Sequence, residues 1–227
     1  MGDFLRGVKV KDLPQRIACG VHNHLAVDRY TDSHTCLKPL KAMFSAQRRR
    51  FAPIIIDVVF DHFLIKHWRD YSQESLADFT DYCYWSFTEL RNEMPAAMQQ
   101  KVAWIIHYDL LNSYARLPGI GNALNGISRR IRFENQLAGA VDEVTRHYEA
   151  LEKGFREFFP TLCDYIRELE VEATSNVEHR SVSSNTVHVA NQIIKYNTFS
   201  KTKLRANRNA NNSLVYCQQY RRLHRPS

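Results

Sequence analysis

Apolar residues along this chain recur at three- and four-residue spacing, and the breaks between such runs fall at proline, glycine and small polar residues. Pro14 opens a first run reaching about Tyr30, where a first-turn residue loses nothing by lacking its N–H. A second helical pattern covers about Cys36 to Arg50. Pro53 opens a third, "PIIIDVVFDHFLIKHW" (53–68), which is apolar on nearly every side. Ser72 to Glu74 offer a cap for a helix from about Glu74 to Asn92, and Pro95 opens another through about Ala115. In "LPGIGNALNGISRR" (117–130) the glycines predict a turn entering a short helix that breaks near Gly126. From 137 to 172, Val141, Val144, Tyr148, Leu151, Phe155, Phe158 and Phe159 keep helical spacing, and Pro160 is expected to kink or restart that helix. No stretch alternates as a half-buried strand does. The predicted fold class is therefore all-α, a multi-helix bundle of about six or seven helices without internal repeats.

The pattern collapses at about Asn176. Residues 176–227 are rich in Asn, Ser, Arg and Lys with scattered apolar positions, and such a segment buries too little surface to offset its ordering entropy. The expected organisation is a helical domain over 1–175 and a basic tail of low order over 176–227. Charge follows the same division. The formal net charge is +7, but residues 1–175 hold 22 Lys and Arg against 23 Asp and Glu, while residues 176–227 hold 9 against 1. A neutral body with a basic tail gives little reason to expect a nucleic-acid-binding fold, and no recognisable binding motif supports one. No run is long and apolar enough to span a membrane, and the first residues lack the apolar core of a signal peptide. Five scattered cysteines, odd in number and without CxxC spacing, read as reduced thiols, and a cytoplasmic location is expected.

Two stretches carry candidate chemistry. In "HNHLAVDRYTD" (22–32), His24, Asp28 and Asp32 are spaced by four and share one helix face. In the third run, Asp57 and Asp61 repeat that spacing with His62 beside them, set among isoleucine, valine and phenylalanine. A helix apolar all round is buried, and two adjacent buried carboxylates need positive charge nearby. Arginine could supply it. Two helices that each offer Asp and His four apart also supply the oxygen and nitrogen donors of a divalent cation, and the absence of thiolate favours manganese, magnesium or iron over structural zinc. His107, within "WIIHYDLL", reads as a core histidine. Arg48, Arg49 and Arg50 precede the buried helix, and Arg129, Arg130 and Arg132 follow the glycine-containing segment; either cluster could receive an anion or an acidic partner, or be a solvated patch. Phosphate-loop, dinucleotide-binding and GxSxG patterns are absent.

"GDFLRG" (2–7), "GVHNHLAVDRYTDSH" (20–34), "RRFAPIIIDVVFDHFLIKHW" (49–68), "LNGISRR" (124–130) and "HYEALEKGFREFFP" (147–160) resemble, in order, the blocks of the bacterial acyl carrier protein phosphodiesterases. The resemblance covers about residues 2–172. It implies an HD-domain-like, metal-dependent phosphodiesterase that removes 4′-phosphopantetheine from a serine of holo acyl carrier protein, with manganese as the cofactor. It further implies a metal set drawn from His24, Asp28, Asp57, Asp61 and His62, with Asp3 as a further ligand. Asp57, Asp61 and His62 are then the catalytic candidates. Arg6 in the DFLRG block would hold phosphate, and because carrier proteins are strongly acidic, Arg48, Arg49, Arg50, Arg129 and Arg130 are candidates for docking. Family members carry a further histidine-bearing helix ahead of the first block, at which this chain starts, and the domain is expected to lack it. Two other readings share the sequence: an HD-like phosphohydrolase of small phosphodiesters or nucleotides, and an inactive helical binding module.

Overall fold

The computed structural model describes residue 11, residues 15–94 and residues 96–174 of the chain. Among them are ten α-helices and no strand: α1 (Gln15–Ser33), α2 (Leu37–Ala42), α3 (Ala52–Lys66), α4 (Trp68–Tyr71), α5 (Leu76–Glu89), α6 (Ala96–His107), α7 (Leu110–Ser113), α8 (Leu117–Arg130), α9 (Val141–Arg146) and α10 (Tyr148–Thr174). The architecture is the all-α bundle that the periodicity predicts. The tail 176–227, Asp3 and Arg6 lie outside the described residues.

The centre of the bundle is α3. Every residue from Ile54 to Ile65 is buried, as an all-round apolar sequence requires, and α2, α8 and α10 enclose it. Pro53 stands in its first turn, where no N–H is needed. The longest helix, α10, buries Leu151, Phe155, Phe158, Phe159, Leu162 and Ile166, a stripe of three- and four-residue steps turned inward. It also receives α1: Tyr30 stacks on Tyr165 with ring centroids 4.4 Å apart.

The boundaries depart from expectation where long-range contacts compete with local preference. The pattern from Cys36 to Arg50 forms helix only over α2. Beyond it the Ser45 N–H donates to Glu143 Oε2 at 2.9 Å, and the Arg48 guanidinium meets Glu143 Oε1 at 2.8 Å. Arg48 also donates to the carbonyls of Gln136 and Ala138, at 2.8 and 3.0 Å. These anchors hold the segment in turns before a short 3-10 turn, Arg49–Phe51. The cap of α5 is Ser75, whose hydroxyl accepts from the Asp78 N–H.

The run from Pro95 to Ala115 is broken after α6. Asp109 takes a left-handed conformation at φ 44°, and its Oδ1 accepts from the Tyr84 hydroxyl and the Asn112 amide, each at 2.8 Å. His107 ends α6 on the exposed surface beside Tyr108, not in the core. The glycines of α8 do the opposite of what was expected: the helix continues through Gly126 to Arg130. Gly119 is there for close packing, since a Cβ on it would stand far inside 3.0 Å of the Ser113 carbonyl oxygen. Likewise α10 continues through Pro160, which sits on an exposed face where an unpaired carbonyl can meet water. The expected restart falls instead at His147, between α9 and α10.

Candidate active site

Asp57 and Asp61 are 3% and 1% exposed on α3, one turn apart, so their carboxylates share a face within the core. On α1, His24 is buried and its Nε2 lies 3.2 Å from Asp28 Oδ2, on the face that their four-residue spacing predicts they share. Asp28 and Asp32 line an open cleft of about 480 Å³ together with Leu25, Arg29 and Ser33. Both carboxylate-bearing helices pack against α10. Phe158 is the common contact, with its ring centroid 6.1 Å from that of Tyr30 and 5.8 Å from that of Phe60, the residue before Asp61.

Carboxylate oxygens with one imidazole are donors that manganese or magnesium accepts, and in that chemical sense the residues fit the expected ion. Among the described residues, however, no three His, Cys, Asp or Glu side chains converge as a complete metal site. Asp3, the further ligand implied by the resemblance, is not among those residues.

His62 does not fit the ligand and catalytic role expected of it. Its Nδ1–H donates to the Tyr114 carbonyl at 2.8 Å, and its Nε2 accepts from the Tyr148 hydroxyl at 2.8 Å, so both ring nitrogens are committed. Burial lowers its pKa from the usual histidine value, against the opposing effect of the Tyr114 bond, and favours the neutral ring. The network continues outward. Lys66 donates to the Tyr148 hydroxyl at 3.3 Å and pairs with Glu152 at 2.8 Å, and Glu152 meets His67 Nε2 at 2.5 Å. Burial pushes the Glu152 carboxyl up, but the bonds from Lys66 and His67 outweigh it and leave the group below its ordinary value. The histidine is thus a joint between α3, α10 and the α7–α8 turn. Its partners lie 52 and 86 positions away, and no local signal could have named them.

Tyr114 brings a further group to the buried aspartates. Burial drives its phenol well above the ordinary range; the Asp61 charge adds to that rise and the Arg130 charge opposes it. Asp61 and Arg130 therefore both lie within electrostatic reach of one buried ring.

The arginines divide into two kinds. Arg48, expected to bind phosphate or carrier, is instead structural, its guanidinium taken up by Glu143 and two carbonyls. Glu143 is 5% exposed; burial raises its pKa, while the Ser45 N–H and Arg48 more than offset that and hold it below the usual carboxylate value. Arg49 makes only long bonds of 3.4 Å to the carbonyls of Ala42 and Phe44. Arg50 lies over Phe51 and Phe133, its Cζ 4.7 and 5.3 Å from the ring centroids, and Arg130 lies 5.0 Å from the centroid of Trp104. Arg129 is exposed beside them in sequence. Trp104 and Phe133, which hold these guanidinium groups, were not singled out by the sequence pattern.

Against known proteins, the family profile described as acyl carrier protein phosphodiesterase matches residues 1–162. A Yersinia pestis protein named acyl carrier protein phosphodiesterase is 34% identical over 163 residues, spanning 71% of this chain and 84% of its own. One of that name from Serratia proteamaculans (strain 568) is 33% identical over 172 residues, spanning 75% and 89%. A third, from Escherichia coli O139:H28, is 29% identical over 163 residues, spanning 71% and 84%. No solved structure gives a significant match.

Proposed function

This chain belongs to the acyl carrier protein phosphodiesterase family, and from that membership we propose that it hydrolyses the phosphodiester joining 4′-phosphopantetheine to a serine of holo acyl carrier protein. The products are apo carrier and 4′-phosphopantetheine. The observation that carries the reading is the extent of the match, which runs from the DFLRG block through the Asp57 and Asp61 helix and into α10.

Asp57, Asp61, His24 and Asp28 would hold a divalent ion, with manganese the preferred one; Asp3 would complete the set. Bound there, the ion would supply Lewis acidity toward a phosphoryl oxygen and would lower the pKa of a water beside it. The protein contributes an apolar enclosure around α3, in which charge interactions are strong, and a neutral His62 that fixes the α7–α8 turn beside Asp61. Among the described residues no helix is long and apolar enough to cross a membrane. A cytoplasmic site of action agrees with the free thiols of Cys36, Cys83 and Cys163.

The test is incubation of the full chain with holo carrier and manganese, with and without chelator, followed by the mass of the carrier. The expected outcome is metal-dependent loss of the phosphopantetheine group, abolished in Asp57→Ala and Asp61→Ala. Turnover of a small phosphodiester with an unaltered carrier mass would instead assign a different substrate to the same fold.

A further inference from the structure

The body of the molecule is close to neutral, with 22 basic against 23 acidic residues over 1–175, so a local excess of arginine is a matter of placement. One such excess lies where α8 ends. Arg129, Arg130, Arg132 and Phe133 follow one another within five positions, and Phe133 stacks on Phe51 with ring centroids 6.5 Å apart, which brings Arg50 alongside. Arg130 lies over Trp104 of α6. All four arginines are exposed, and among the described residues none has a carboxylate within 4.0 Å. Phe133 and Trp104 are 40% and 37% exposed, large for aromatic rings that have a core to join. Glu134 is the neighbouring acid in the chain, and it pairs with none of them.

Two of the four, Arg50 and Arg130, carry their guanidinium carbon over an aromatic ring. An arginine resting its face on a ring keeps its in-plane N–H donors directed outward, where they fit a carboxylate in two-point fashion. Stacking also restricts the side chain before any partner arrives, so less freedom is lost on binding. Cations braced on exposed aromatic rings resemble the composition of recognition surfaces, in which Arg, Trp and Phe are enriched. The position is suited to delivery as well. Phe51 immediately precedes the helix of Asp57 and Asp61, and α8, which ends at Arg130, packs against that same helix.

We propose that Arg50, Trp104, Arg129, Arg130, Arg132 and Phe133 form the docking surface for an acidic face of the carrier protein, an inference that rests on the proposed phosphodiesterase function. The patch holds the carrier beside α3 while its prosthetic arm reaches the buried aspartates. Arg48 takes no part, since its charge is spent on Glu143.

Binding is measured without turnover, by titrating the full chain in chelator onto fluorescently labelled holo carrier at low and at physiological salt. Wild type is expected to bind, with affinity falling as salt rises. Arg130→Glu combined with Arg132→Glu should weaken binding by about tenfold or more, because like charges then face the carrier. Trp104→Ala should weaken it several-fold through loss of the brace, and Arg167→Glu on α10 should leave it unchanged. Circular dichroism establishes that each variant is folded. Equal affinity of the double variant and wild type would overturn the proposal, as would an equal loss in Arg167→Glu, or a wild type that binds nucleic acid in preference to the carrier. Intact, salt-sensitive carrier binding by a chain that never releases phosphopantetheine would support the surface and count against the activity.

Discussion

Gly119 and Gly154 show how differently one added methyl group is received at two positions. A Cβ on Gly119 would run into the backbone carbonyl of Ser113, which is fixed by the α7–α8 turn, whereas a Cβ on Gly154 would press on the terminal methyl groups of Leu40. The first obstacle cannot move without the turn; the second can change rotamer. Helical Gly→Ala also returns about 1 kcal/mol of backbone preference, which offsets part of the crowding at Gly154. Gly119→Ala is expected to destabilise the protein by about 3 kcal/mol, and Gly154→Ala by about 1 kcal/mol or less. Chemical denaturation of the two variants checks the order, and equal losses would contradict the close approach at Gly119. The same scale governs His62. Its neighbours in sequence mark it as a candidate ligand, but Tyr114 and Tyr148 occupy both nitrogens and make it a tether.

At the scale of elements, α9 is joined to the segment after α2 chiefly by Glu143, which accepts from Ser45 and Arg48. The pKa of Glu143 is lowered in the folded protein from an ordinary 4.5, so folding favours its ionised form. Its contribution is then fully present above about pH 4.5 and is lost as pH falls through the lower folded value. Glu152, between α10 and α3, is lowered too and loses its contribution in the same direction. Thermal melting of wild type should therefore fall steeply in acid. Glu143→Gln should melt lower than wild type at neutral pH but lose less on acidification, with the Glu152 part remaining. Parallel pH profiles for the two proteins would show that the α9 junction does not depend on this charge. Arg48→Ala tests the other partner: it strands a buried carboxylate, and a loss of about 3 kcal/mol is expected in denaturant titration.

For the whole molecule, the proposed ion would join α1 and α3, both of which also pack against α10. Any ligand that binds only the folded chain stabilises it, by about 2.7 kcal/mol at a concentration one hundred times its dissociation constant. For a body of this size that corresponds to a rise in Tm of roughly 5–10 °C. Manganese should raise the melting temperature of the full chain, and the rise should vanish in Asp57→Ala and in Asp61→Ala. This readout is independent of catalysis, and an unchanged wild-type Tm at saturating manganese would remove the metal from the proposal.

What the sequence determined alone was the helical class, the burial of α3 and the shared face of His24 and Asp28, because each follows from periodicity within one element: an all-apolar helix has to be enclosed, and residues four apart share a face. The tertiary structure decided what distant residues do to one another. Glu143 and its anchors replaced a predicted helix with turns, the close approach of Ser113 gave Gly119 a packing role inside a helix where a turn had been expected, and Tyr148 took a nitrogen from His62. Likewise, Arg48 and Arg50 are neighbours of one kind in the chain, yet one meets a buried carboxylate and the other an aromatic face. Local sequence fixes which face a side chain occupies; only the packed bundle brings the partner that sets its charge state and its role.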